Sequence, residues 1–273
     1  MQALLNLLEQ TQVIVAVSGL VLLLLYEHAH PFFDFFKDKG KLRWKHLFRN
    51  ASLGLVNAAV TSFVFVGIWL WASNWAVTNN FGILNWLGLS YWPHLIGAVL
   101  LMDTWTYFWH VMNHRIPFFW KFHRVHHSDP SMDVTTANRF HTGEIIFSSI
   151  LRTGIILLIG LQIWELLIYE ILLVIVVQFH HANIGLPEKV DKFLRLFIVT
   201  PSMHKVHHSR VQSETDSNYS SLFSFWDRIC KTFNLIEDSH SINIGLDEFD
   251  SEEDQKVKGL FWMPFKKKKN NEA

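Results

Sequence analysis

From residue 50 to residue 102 the chain carries not one Asp, Glu, Lys or Arg, a run of 53 residues without a formal charge. A helix crossing the hydrocarbon core of a bilayer needs about 20 apolar residues at about 1.5 Å of rise each, so this stretch alone has room for two crossings. Only 18% of the 273 residues are charged and half are apolar, where a soluble domain has roughly a quarter charged. Apolar runs predict membrane helices near residues 4–26, 51–73, 93–110, 145–160 and 166–179, the last two short enough for a re-entrant hairpin. The first run is expected to stay in the mature protein, because residues 1–12 hold no Lys or Arg and no small-residue cleavage site follows. The expected fold is all-α, an integral membrane helical bundle of about four to five helices.

The basic residues are sorted by side. Lys37, Lys39, Lys41, Arg43, Lys45 and Arg49 follow the first run, and Arg115, Lys121, Arg124 and Arg139 follow the third. Residues 1–12, 74–92 and 161–165 have no Lys or Arg. The positive-inside rule then places the basic segments in the cytoplasm and the N-terminus outside. In a bacterium the membrane would be the cell inner membrane, and in a eukaryote the endoplasmic reticulum. Residues 188–200 read as an amphipathic surface helix, with Val190, Phe193, Leu194, Phe197 and Ile198 opposite Lys189, Lys192 and Arg195. Residues 261–269 end in aromatics and four Lys, which suits anionic head groups. Lys plus Arg and Asp plus Glu both number 24, so the basic excess that nucleic-acid binding needs is missing. The single Cys230 excludes an internal disulfide and a Cys-based metal motif. The expected organisation is membrane helices over 1–102, a histidine-rich catalytic region over 103–235 and a cytoplasmic tail over 236–273, forming one catalytic unit.

Sixteen His are a count that membrane insertion does not explain. His110 and His114 are four apart, His123, His126 and His127 form H-x-x-H-H, and His204, His207 and His208 repeat it 81 residues later, as HRVHHS and HKVHHS. On a helix each box keeps its imidazoles on one side, a fork of nitrogen ligands. Imidazole suits Zn, Fe, Cu or Ni, and a tetrahedral ion takes about four ligands, so eight clustered His imply two ions. His181, beside His180 at the end of the fifth run, and His141, at the start of the fourth, are further candidates to complete a coordination sphere. Asp103 and Tyr107 precede His110 by seven and three residues, on nearly the same helical face. A carboxylate inside a membrane helix is a functional candidate, and Asp103 is expected to accept an N–H from a ligand imidazole. His28, His30, His46, His94 and His240 read as structural.

The order H-x-x-x-H, H-x-x-H-H, H-x-x-H-H between membrane helices resembles the sterol desaturase and fatty acid hydroxylase superfamily of membrane-bound diiron oxygenases. The likeness covers residues 103–233 and extends to Asn138-Arg139-Phe140-His141 with Glu144, His181-Ala182-Asn183, Thr200-Pro201, Asn218-Tyr219 and Trp226-Asp227. The resemblance implies that His110, His114, His123, His126, His127, His204, His207 and His208, with His181 added, hold two Fe ions, which Zn can replace in purified protein. It implies O2-dependent hydroxylation or desaturation of a C–H bond in a membrane lipid. Because the chain carries no cytochrome b5 or reductase domain, electrons are expected from a separate donor of cytochrome b5, ferredoxin or reductase type. Asn218, Tyr219 and Asp227 are expected to orient ligands or to cap turns. Where relatives often read H-P-x-E this chain has His141-Thr142-Gly143-Glu144, leaving His141 as ligand or as channel wall. The rival readings are a metal-stabilised membrane scaffold and a zinc-dependent membrane hydrolase, although no H-E-x-x-H motif is present.

Overall fold

The apolar runs become long helices joined at their ends by short ones. In the computed structural model, which describes residues 2–37 and 39–267, α1 is Gln2–Ala29 and α2 is Gly40–Val60. A π-helical stretch at Thr61–Phe65 carries α2 directly into α3 (Val66–Thr78), and α4 (Ile83–Trp86) follows. α5 (Tyr91–Arg115), α6 (Pro117–His127), α7 (Thr142–Ile159) and α8 (Ile163–His181) form the rest of the bundle. The short α9 (Glu188–Leu194) and α10 (Pro201–His207) begin the C-terminal third. Among the described residues there is no strand, only isolated bridges at Ile198–Phe223 and Ser209–Ile244.

Among the described residues four segments are long and apolar enough to cross a membrane: α1, the stretch Gly40–Trp86, α7 and α8. α7 and α8, at 18 and 19 residues, are longer than the sequence runs suggested, and each is long enough for a crossing rather than half of a hairpin. α5 has the length, 25 residues, but bears Asp103, His110, His114 and Arg115. It tolerates them because its Ala98, Met102, Asp103, Tyr107 and Asn113 are shielded by neighbouring helices rather than by lipid. The main core lies between α3, α5, α7 and α8, where Ala72, Ala98, Met102, Ile156 and Tyr169 are fully enclosed.

The two ends of the bundle differ in kind. At one end the turns after α3 and α7 meet: Gly82, at φ +104°, lies so close to Gly160 that an added Cβ would sit 2.3 Å from the Gly160 nitrogen. His94 Nδ1 bonds Glu165 Oε1 at 2.7 Å there and ties α5 to α8. The other end gathers the C-termini of α1, α5 and α8, the N-termini of α2 and α7, and everything after residue 181. All the basic segments named above lie at this second end.

Two surface expectations change. The amphipathic stretch is helical only over α9, which ends before Arg195; Val190, Phe193, Leu196 and Phe197 are exposed on it and just beyond it. The C-terminal stretch is a docked segment: Phe249, Leu260 and Met263 are buried with Leu53 and Val125, and Arg124 donates to the Met263 and Lys266 carbonyls. Lys268 and Lys269 of the lysine run lie outside the described residues.

Candidate metal centre

Proline sets up the site locally. α5 cannot run past Ile116, because Pro117 forces the residue before it into extended backbone, φ −101° and ψ 113°. Pro117 then opens α6 at a position where its missing N–H costs nothing, and the chain folds back so that the second box faces the first. Pro201 opens α10 in the same way and brings up the third box.

The result is two groups of converging imidazoles, each with its ligand nitrogens within 4.8 Å of one another: His110, His114, His123, His127 and His207, and then His126, His181, His204 and His208. In the first, Nε2 of His110 lies 3.0 Å from that of His207 and 3.2 Å from that of His123, which lies 3.2 Å from His127 Nε2. In the second, His181 Nε2 lies 3.1 Å from His126 Nε2 and 3.0 Å from His204 Nε2, which is 3.2 Å from His208 Nε2. The groups touch through the His127 and His208 rings, stacked at 4.5 Å. Each H-x-x-H-H box is divided. On α6 the i, i+4 pair serves the first group and His126 the second, while after Pro201 the pair His204 and His208 serves the second and His207 the first.

The outward nitrogens identify the tautomers. His110 Nδ1 faces the Tyr219 carbonyl at 2.8 Å, His207 Nδ1 the Ser217 carbonyl at 2.7 Å and His181 Nδ1 the Val177 carbonyl at 2.7 Å. A carbonyl only accepts, so each Nδ1 is protonated and each Nε2 is a bare lone pair. His110 and His207 therefore point lone pairs at each other across 3.0 Å. That contact repels unless a cation lies between the nitrogens. Burial first, and the neighbouring imidazoles second, hold His126, His127, His204, His207 and His208 well below the ordinary histidine pKa. They are neutral at pH 7, the form a metal needs. An all-imidazole donor set fits Fe, Zn, Cu or Ni.

A sequence model of the fatty acid hydroxylase family matches residues 95–232. The chain belongs to that family. It is 27% identical over 158 residues to an ornithine lipid hydroxylase of Rhizobium tropici, covering 57% of this chain and 47% of that protein. It is 29% identical over 188 residues to human alkylglycerol monooxygenase, covering 68% of this chain and 38% of that one. It is 22% identical over 202 residues to a cholesterol 25-hydroxylase-like protein of Danio rerio, covering 73% and 77%. The chain thus spans less than half the length of the first two relatives. No solved structure matches it.

Within this member of the fatty acid hydroxylase family, the other sequence candidates stand back from the imidazoles. Asp103 reaches none of them: its carboxylate accepts from Trp226 Nε1 at 2.8 Å and Phe223 N at 3.1 Å. Tyr107 bonds Thr232 Oγ1 at 2.8 Å. Asp227 accepts from the Tyr219 and Ser220 amides at 2.8 and 3.1 Å, and so fixes the peptide whose carbonyl holds His110. Asn218, at φ +51°, clamps the same loop through the Met203 and Asn234 carbonyls. His141 is a helix cap and not part of either group: its Nδ1 accepts from Gly143 N and its Nε2 donates to the Phe261 carbonyl, so both nitrogens are spent on backbone. His180 lies with its ring centre 4.0 Å from that of His204, tilted by 39°, but outside both groups.

His46 is structural, as expected, but heavily engaged: Nε2 lies 2.9 Å from Asp129 and Nδ1 3.4 Å from Asp133, all three buried. Arg139, fully buried, donates to the Val125 carbonyl, Asn50, Ser128 and Gln255, and Phe140 beside it stacks on His126 at 4.4 Å. Glu144 is the partner that spacing did not disclose. Its Oε1 accepts from His123 Nδ1 at 2.9 Å and Asn113 Nδ2 at 3.1 Å. The available signal was an acidic residue in the first turn of a membrane helix. A cavity of about 310 Å³ leads away from both groups between α5, α7 and α8, with Trp105, Trp109, Leu173 and Val177 in its walls.

Proposed function

We propose that the protein is a membrane-bound diiron oxidoreductase that uses O2 to hydroxylate or desaturate a C–H bond of a lipid, with electrons from a separate donor protein. His110, His114, His123, His127 and His207 would hold one ion, and His126, His181, His204 and His208 the other. The observation that carries the reading is the meeting of the His110 and His207 lone pairs at 3.0 Å, which a shared cation makes favourable. Family membership favours iron among the metals that imidazole accepts, and the hydroxylase and monooxygenase relatives favour lipid oxidation. When bound, the two irons supply the activation of O2 and the capacity to attack an unactivated C–H bond.

The chain's own residues do the rest. The Tyr219, Ser217 and Val177 carbonyls and the Glu144 carboxylate hold four imidazoles with Nε2 inward, which sets ring orientation before a metal arrives. Trp105, Trp109, Leu173 and Val177 offer an apolar chain a dry path to the ligand groups and keep bulk water away from the reacting carbon. The basic segments around the imidazole end favour the cytoplasmic side for it.

Protein purified without oxygen and supplied with iron should hold about two Fe per chain, the number two four-ligand spheres require. A lipid product should appear only with O2 and a reductant, carrying 18O from 18O2 if the reaction is hydroxylation. One metal ion or fewer in folded protein, or a product formed without O2, would end this reading. In a variant lacking Cys230, an impermeant thiol reagent added outside should label Asn79→Cys and spare Lys121→Cys.

A further inference from the structure

The cavity has a polar far end that the proposed chemistry does not use. Its walls are three stripes at helical spacing: Glu144, Ser148 and Arg152 on α7; Glu170, Val174, Val177 and His181 on α8; and Thr106, His110 and Asn113 on α5. It therefore runs along the helices, with imidazoles at one end and Arg152 and Glu170 at the other. Arg152 lies eight residues beyond Glu144, about 12 Å along α7, and Glu170 lies eleven before His181, about 16 Å along α8.

Both residues sit within helices apolar and long enough to cross a membrane. The Arg152 guanidinium donates to Glu170 Oε1 through Nη1 and lies 5.2 Å from the Trp69 ring centre, while its buried Nε has no partner. A charged pair at this depth is costly, and apolar side chains of similar volume would join α7 to α8 at least as well. Here both residues line the cavity and neither side chain is fully enclosed, 18% of Arg152 and 24% of Glu170 remaining exposed, so a guanidinium donor and a carboxylate lie side by side at its wall. A hydroxyl accepts from the one and donates to the other, whereas an ether or ester oxygen satisfies only the donor.

Building on the oxygenase reading, we propose that Arg152 and Glu170 form a specificity site for a lipid hydroxyl, so that the substrate is an alcohol, of sterol or long-chain type, oxidised about 12–16 Å from that hydroxyl. The pair is a recognition element remote from the chemistry; it positions the chain so that a distant carbon reaches the imidazole end.

Binding to the iron-loaded protein, kept in detergent micelles without oxygen or reductant, tests this without turnover. The probes are 1-hexadecanol, its methyl ether, hexadecane and cholesterol, each measured as a dissociation constant by competition with radiolabelled 1-hexadecanol. Hexadecanol should bind at least about tenfold tighter than its methyl ether, a difference of about 1.4 kcal/mol, and the alkane weaker still. In Arg152→Met/Glu170→Met, which keeps side-chain volume between the helices, the alcohol and ether should bind alike. Cholesterol binding tighter than hexadecanol assigns a sterol, and the reverse order a long-chain alcohol. Equal binding of alcohol and ether by the unaltered protein overturns the site, and that comparison needs no variant to fold. Persistence of the preference in the folded double variant overturns it as well. Two irons per chain with no alcohol preference would leave the oxygenase standing and the subsite refuted; an alcohol preference with fewer than two metals would do the opposite.

Discussion

The two imidazole groups are made from one motif used twice, yet they are held differently. The first has five His, and three of its outward N–H groups are anchored, to Tyr219 O, Ser217 O and the Glu144 carboxylate. The second has four, and among the described residues only His181 is anchored; Nδ1 of His126, His204 and His208 has no hydrogen-bond partner there. The nearby carboxylates Asp129 and Asp133 are taken up by His46 instead. A carboxylate on the far nitrogen raises imidazole basicity and fixes ring angle. On the proposed reading the first group should therefore bind its ion more tightly and with a ligand in reserve, and the second should have none to spare.

The largest effect should follow from removing a ligand where none is in reserve. His126→Ala should lower iron to about one per chain and cut lipid oxidation at least about a hundredfold, while His114→Ala, one of five, should keep close to two. Metal analysis of both purified variants decides it: equal iron loss would break the contrast. Next in size is His46→Ala, which leaves two buried carboxylates without their partner and should cost about 3 kcal/mol of stability. Its unfolding midpoint should drop while its iron content stays at the wild-type level.

Glu144→Ala should weaken metal binding at the first group about 10–100-fold and spare the second, as seen by titrating the two sites with Fe or Zn. Glu144→Gln, which retains an acceptor for His123, should restore part of the loss; no difference between the two variants would deny Glu144 its orienting role. The smallest change is expected for Asp227→Asn, two bonds removed from His110 through the Tyr219 peptide. A few-fold loss of affinity confined to the first group should result, since neighbouring contacts of the loop remain.

Much of this was legible because it is local. The helices follow from apolar length, and the end of the bundle that carries the histidines follows from where Lys and Arg stop. The nine imidazoles of the two groups were all nominated by spacing, by position beside a box or by resemblance. Asp103 and His141 show where that logic ends. Helical phase placed Asp103 on the His110 face, but a loop 120 residues away reaches its carboxylate first. His141 has the right residue type in a known motif, and the cap of α7 and the docked Phe261 carbonyl claim both its nitrogens.

The sequence by itself determined a membrane bundle, its charge polarity and a supply of imidazoles sufficient for two ions, since each depends on composition or on neighbours within a few turns. Only the tertiary structure decided that each box splits between the two groups, that Glu144 backs His123, and that Arg152 meets Glu170 at the end of an apolar cavity. Those facts depend on how helices far apart in the chain lie against one another, and no periodicity within one helix carries that information.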